Sequence, residues 1–513
     1  GLRARCCSLR KKKKHQMTYN ELIAELKKIT DVEAATAVLH WDKEVNLPSQ
    51  GAASRSQSIA TLSGIAHEMM TKKTLGEALE NLNQDDSLSD KEKRNIQLAL
   101  KEYRRSTKFD LDFVIKRSKV TSAAYHAWRK AREANDYSLF KDALASLIEI
   151  KKEETDILGY EGHPYNALLD VFEPEMTVAE LDPLFEDVRA QITPLAAKIR
   201  EQTQVNDAFF HQHFPHQKQW DFGLDVLKNM GYDFDRGRQD LSPHPFTITF
   251  SPQDVRVTTI VNENRFDAMC WSCIHEGGHA LYEQGIPMEE FGTPVGRAVS
   301  LGIHESQSRL WENNVGRSKA YWTAHFPKLK EYFPEQFKDI SLDELYKGMN
   351  KIQANLIRTE ADEIHYHLHI LVRYELEKAL IEGSLAPADL KDAWNAKYKE
   401  YLDVDVPDDN QGILQDIHWA HGSIGYFPTY SLGSFYAAQF YAQAEKDISG
   451  LEDQIAKGDN SQLLDWLRVN IHQQGNLYNA KTLCKRITGE PLNLKYFVDY
   501  AKVKFGVVYG VKL

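Results

Sequence analysis

Residues 271–284 read Trp-Ser-Cys-Ile-His-Glu-Gly-Gly-His-Ala-Leu-Tyr-Glu-Gln, and they restrict the fold more than any other stretch. On an α-helix, residues four apart lie on one face. His275 and His279 can therefore turn two imidazole nitrogens toward one point, as a tetrahedral cation demands. Glu276 projects about 100° around the same helix. It can flank the cation without filling a coordination position, which is where a general base for a metal-bound water belongs. A catalytic zinc usually takes three protein ligands and leaves the fourth place to water. The best candidate for the third is Glu305, in Gly302-Ile303-His304-Glu305-Ser306-Gln307; it stands 26 positions after His279 and must come from a second helix crossing the first. The flanks Cys270 to Ile274 and Ala280 to Tyr282 are apolar, which predicts a largely buried helix, and charges are rarely buried without a partner or a metal. Gly277 and Gly278 each cost a helix interior about 1 kcal/mol against alanine, intelligible if something must approach that backbone closely.

The rest of the chain is written mostly in helical period. Leu22, Ile23, Leu26 and Ile29 recur at three and four, with Lys and Glu between them, so the pattern is amphipathic. Asn46 to Gly51 reads as a loop, and Ser87 to Glu92 as a helix cap with an acidic first turn. Helices are expected over about 90–106, 108–135, 137–157, 177–203 and 219–230. They resume at about 298–315, 318–327, 341–378, 386–402, 430–447, 460–474 and 490–502. Between them, Thr247 to Phe250 and Val255 to Val261 are β-branched and alternate, which predicts a small antiparallel sheet just before the histidine helix.

With 513 residues, 42% hydrophobic and 11% aromatic, the chain can bury a large core. No linker divides it, so we expect one domain over 17–513, with an N-terminal helical part to about 240 and a metal-site part beyond. Residues 1–16 carry a lysine run and precede Met17-Thr18-Tyr19; they are expected to be a disordered extension. A net charge of −11 argues against nucleic acid as a partner. No apolar run approaches the roughly 20 residues a membrane helix needs. Five cysteines form no disulfide framework, so a cytoplasmic location is expected, and Cys270-x-x-Cys273 is expected to be two small buried hydrophobes rather than a redox or zinc pair.

Beyond the histidine pair, six stretches fall into a pattern: His244-Pro245-Phe246, Asp254 to Thr258, His304 to Gln307, Ile357-Arg358-Thr359-Glu360-Ala361-Asp362, Gly412 to Trp419, and Gly425 to Tyr430. With these, the chain from about Met17 onward resembles the carboxypeptidase Taq family of metallocarboxypeptidases. The resemblance implies a mainly α, neurolysin-like molecule with a deep groove, removal of single C-terminal amino acids with broad preference, one zinc or cobalt ion per chain, peptide substrates and a homodimer. It assigns His275, His279 and Glu305 to the ion and Glu276 to proton transfer.

An exopeptidase must also recognise a free carboxylate. Arg358 suits that role, since guanidinium binds carboxylate bidentately; the plain alternative is an ion pair on a helix surface. Tyr426 and Tyr430 can donate to the carboxylate or to a developing oxyanion, and His418 could do either job. His244 and Arg256 read as contacts to substrate backbone or as support for the site. Asp362 and Asp416 could each orient a ligand histidine. His211, His213 and His216, and the group His365, His367 and His369, are expected to be surface or packing residues. A zinc oligopeptidase or dipeptidyl carboxypeptidase on the same scaffold, or a non-catalytic scaffold with a structural metal, are the other readings.

Overall fold

A computed structural model describes residues 16–513; the expectation for 1–16 lies outside them except for Gln16. The N-terminal unit holds α1 (Tyr19–Val45), α2 (Ala52–Met70), α3 (Lys73–Leu82) and α4 (Asp90–Thr107). Thr18 with Glu21, and Ser89 with Glu92, form capping boxes that satisfy the first amides of α1 and α4. Leu22, Leu26, Ile29, Leu79, Ile96 and Leu100 close a small core of their own. This unit meets the body through polar contacts, among them Arg94 to Asn476 and Arg297 to Glu33.

The body begins with α5 (Leu111–Ala134), α6 (Ser138–Leu158), α7 (Tyr165–Phe172), α8 (Val178–Arg200) and α9 (His216–Met230). Then come β1 (Gln239–Leu241), β2 (Thr247–Ser251) and β3 (Asp254–Thr259). β2 and β3 pair antiparallel, as their alternation predicts, with Thr247 opposite Val257. The sheet is nonetheless mixed: β1 adds to β3 in parallel, in the order β1-β3-β2. Three residues are too short for periodicity to reveal β1. β3 is central, and β1 and β2 are both edge strands.

The site is built by α10 (Asp267–Gly285), α11 (Leu301–Arg309) and a π-helical turn, Leu310–Val315. Next are α12 (Lys319–Tyr332), α13 (Pro334–Phe337), α14 (Leu342–Met349), α15 (His365–Glu382) and α16 (Leu390–Leu402). The chain ends with α17 (Pro428–Asp447), α18 (Leu451–Ala456), α19 (Ser461–Asn470), α20 (Ala480–Thr488) and α21 (Lys495–Tyr509). The long helix expected over 341–378 is broken: 350–364 is irregular, with one 3₁₀ turn at Arg358–Glu360. Asp362 restarts the helix by accepting from the amides of Ile364 and His365, and Arg358 is drawn into a buried ion pair. Tertiary electrostatics override local helix propensity here.

Candidate metal centre

His275 Nε2, His279 Nε2 and a Glu305 carboxylate oxygen lie within 4.8 Å of one another. Glu305 Oε2 is 3.6 Å from the first nitrogen and 3.3 Å from the second. Such convergence needs α11 pressed hard against its neighbours. A Cβ on Gly278 would stand 2.6 Å from the Gln307 carbonyl oxygen and 2.7 Å from Ser308 Cα, and one on Gly433 of α17 would stand 2.5 Å from Glu305 Cβ and Cγ. Two glycines thus let α11 slot between α10 and α17, fixing Glu305 from both sides.

The far side of each imidazole is also held. His275 Nδ1 meets Glu312 Oε2 at 2.7 Å. Glu312 sits in the π-helical turn, a rare winding that often marks functional sites. His279 Nδ1 is 2.6 Å from His304 Nδ1, and His304 Nε2 is 2.7 Å from Glu283 Oε1. With Glu283 accepting, His304 carries a proton on Nε2, and its Nδ1 accepts from His279. Both ligand histidines then keep an Nε2 lone pair for a cation, the usual way a ligand imidazole is oriented. Arg309 donates to Glu305 Oε1 (2.8 Å) and to Glu312 (3.2 Å), and Ser308 donates to Glu305 Oε2 (2.9 Å). The expectation that Asp362 and Asp416 orient the ligands is overturned: Asp362 holds His365 at 2.7 Å, and Asp416 holds Arg358 and Arg373.

The donor set suits a divalent ion. Burial opposes a charged His275, but the carboxylates of Glu305 and Glu312 outweigh it and push the imidazole up to about 9. The cluster is thus short of positive charge. Two nitrogens and one oxygen leave a coordination place free, and among the described residues no thiolate closes the site, unlike a structural zinc. Cys270 and Cys273 are free and buried, as expected.

Glu276 is buried next to the triad and reaches the sheet: Thr247 Oγ1 donates to its Oε2 at 2.6 Å and to its backbone oxygen at 3.0 Å. The edge strand β2 therefore touches the acid directly. A polar cavity of about 730 Å3, walled by Trp271, Arg309, Glu312 and Tyr366, reaches the residues that hold His275 and Glu305 rather than the triad itself.

The other sequence-predicted residues divide into two groups. Arg358 is buried, not on a helix surface; its Nε and one terminal nitrogen donate to Asp416 Oδ1 at 2.9 and 2.8 Å. Tyr366 links it to the triad, with its hydroxyl 3.3 Å from Arg358 and its ring 4.6 Å under Arg309. Tyr430 stacks under Arg358 at 5.1 Å, and its hydroxyl meets His418 Nε2 at 3.0 Å, with the Tyr426 ring 5.2 Å away. Burial pushes His418 down to about 3, so it is neutral; its Nδ1 has no hydrogen-bond partner among the described residues. His244, exposed between β1 and β2, and Arg256 form the second group. Arg256 is paired with Asp254 at 2.8 Å and lies over Trp41 of α1 at 4.5 Å. Their described contacts do not reach the triad. His365, His367 and His369 are all buried packing residues, and His211, His213 and His216 are exposed.

Residues 21–505 match the model of the carboxypeptidase Taq (M32) metallopeptidases. The chain belongs to this family. It is 40% identical to carboxypeptidase 1 of Bacillus subtilis over 94% of this chain and 97% of that one. It is 38% identical to thermostable carboxypeptidase 1 of Thermus thermophilus, over 96% and 99%. The crystal structure of an M32 carboxypeptidase from Deinococcus radiodurans superposes with a TM-score of 0.94 at 37% identity, covering 96% of this chain and 99% of that one. Membership makes the chain a metallocarboxypeptidase of mainly helical fold. The residues that sequence reasoning missed at this centre are Glu312, His304, Glu283, Arg309 and Thr247. His304 and Arg309 carried a signal, standing one residue before and four after Glu305; Thr247 and Glu283 carried none.

Proposed function

We propose that this enzyme removes single amino acids from the C-termini of peptides, with broad preference, using Glu276 as general base beside a divalent ion held by His275, His279 and Glu305. The observation that carries this reading is the convergence of the two imidazoles and one carboxylate, with Glu276 between the two histidines on the same helix. Zinc fits a nitrogen-rich, open three-ligand set, with cobalt the alternative. When bound, the ion acts as a Lewis acid that acidifies a water and polarises the scissile carbonyl.

Glu276 takes the water's proton and returns it to the leaving amine. Thr247 pins one of its oxygens and leaves the other for this task. The free edge of β2 suits an extended peptide laid beside Glu276 by backbone hydrogen bonds, with Arg256, paired with Asp254, bracing that sheet and the exposed His244 a contact for substrate backbone. Tyr426, Tyr430 and the neutral His418 offer donors for the oxyanion or for the substrate carboxylate. Arg358 anchors the free C-terminus.

A matched pair of peptides, one amidated, tests the exopeptidase reading. Amidation should block cleavage; equal cleavage of both forms rejects Arg358 as the anchor and favours an oligopeptidase. Light scattering tests the homodimer that the resemblance implies.

A further inference from the structure

The charges around Arg358 do not cancel. Asp416 gives Oδ1 to Arg358 and Oδ2 to Arg373, whose Nε lies 2.6 Å away. All three side chains are buried, at 7% exposure for Arg358, 0% for Arg373 and 11% for Asp416. Among the described residues, every other hydrogen-bond partner of the two guanidinium groups is neutral: Tyr366 hydroxyl, Gln415 Oε1, the His369 carbonyl and Tyr398 hydroxyl. Two cations therefore share one hydrogen-bonded carboxylate; Glu377, the buried acid on the same helix as Arg373, gives its oxygens to Tyr165, Trp419 and the Gly425 amide instead, and burial favours its neutral form, so one net positive charge is left. An uncompensated buried charge is costly and calls for a counter-ion.

Arg373 cannot itself be that counter-ion's contact, because it stands fully buried behind Asp416. We infer that Arg373 is a specificity-determining positioning residue: by engaging one oxygen of Asp416 it leaves Arg358 half-neutralised, so the site accepts one anionic chain end and disfavours a neutral one. Without Arg373, Arg358 and Asp416 would form a closed, neutral pair, and a substrate carboxylate would have to displace Asp416. Gln415 braces the arrangement, its Oε1 accepting from the Arg358 amide and from Arg373, both at 2.9 Å. This inference rests on Arg358 as the anchor.

The test is charge accounting in the metal-loaded enzyme. Free-acid and amidated peptides are compared for the natural enzyme, Arg373→Gln, Asp416→Asn and the double variant, with metal content and melting temperature recorded for each. The cluster then carries one, no, two and one net positive charges respectively. Arg373→Gln should raise KM for the free acid by about a hundredfold, with kcat falling much less. Asp416→Asn should hold or lower that KM. The double variant should recover about tenfold or more of what Arg373→Gln loses. A double variant no better than Arg373→Gln would overturn the inference, since a purely structural loss is not rescued by deleting the acid. If Arg373→Gln does not fold, Arg373→Lys and Asp416→Asn decide: both must retain preference for the free acid, and loss of it in either overturns the inference. If the natural enzyme does not discriminate between the two peptides, the anchor reading itself falls and this inference with it.

Discussion

At the metal end of the site, every candidate ligand stands on a helix: Glu305 is held by Ser308 and Arg309 of its own helix, and the two histidines by His304 of α11 and Glu312 of the turn that follows it; at the anchor end, Arg358 and Asp416 stand on irregular segments 58 residues apart and reach each other through side chains alone. The charges differ as well. Acids are in excess around His275, whose imidazole is pushed up to about 9, whereas cations are in excess around Asp416. On the proposed reading, one end is completed by a cation and the other by an anion. The contrast reflects two tolerances. A cation needs its ligands placed to within a few tenths of an ångström, which rigid helices provide. A carboxylate anchor needs only the right sign of charge and a forked donor, which a braced loop can present.

The strongest way to break this division is Glu276→Gln. It removes the base while leaving His275, His279 and Glu305 untouched, so metal content should stay at one ion per chain while kcat falls roughly a thousandfold. Loss of the ion in that variant would mean that Glu276 belongs to the metal cage instead.

Each end also contains one buried acid whose titration can be followed. Glu173 accepts from the Gly302 amide and the Ser300 hydroxyl at the start of α11. Glu377 accepts from Tyr165, Trp419 and the Gly425 amide, bracing the segment that leads to Tyr430. Burial raises both from 4.5 to about 7. A raised acid stabilises the fold fully below its unfolded value and loses that contribution as pH rises through the folded value. Stability should therefore decline between about pH 4.5 and 7, by about 3 kcal/mol for each acid. Denaturant melts across that range should show the slope, and Glu173→Gln and Glu377→Gln should each flatten it. A slope of opposite sign would show the acids buried as carboxylates.

Next in size is Glu312→Gln, which keeps a hydrogen-bond acceptor for His275 but removes the charge. Metal affinity should fall about 10- to 100-fold, measured by chelator competition, with the free-acid preference unchanged. A change in that preference would mean the two ends are coupled through Arg309 and Tyr366.

The division also explains what could be read from the sequence. His275, His279 and Glu276 are visible because their geometry is a property of one helix, and Glu305 because its neighbourhood is distinctive. The helical architecture was legible for the same reason: apolar residues at three and four, capping boxes at Thr18 and Ser89. The break at 350–364 was not, because no Gly or Pro punctuates it; α14 ends at Met349, and the irregular stretch that follows is tied down by Arg358 pairing with a residue far along the chain. In the sequence nothing separates Arg373 from the other charges of its helical stretch; only burial beside Asp416 distinguishes it. Glu283 and Thr247 join the site across 21 and 29 residues, through contacts that no local pattern encodes.

The smallest effect, and the most selective, is expected from Gly278→Ala. The added methyl would meet backbone atoms of α11, the Gln307 oxygen at 2.6 Å and Ser308 Cα at 2.7 Å. Backbone cannot rotate away as a side chain can, so α11 must move as a unit. Such overpacking costs about 1–3 kcal/mol, seen as a lower melting temperature. Moving α11 carries Glu305 away from the two imidazoles, so metal affinity should drop with it, while the ratio of free-acid to amide cleavage in the metal-saturated enzyme holds, because no atom of Arg358, Arg373 or Asp416 lies on that helix. A stability loss with unchanged metal affinity would show that the packing of α10 on α11 is not what places Glu305.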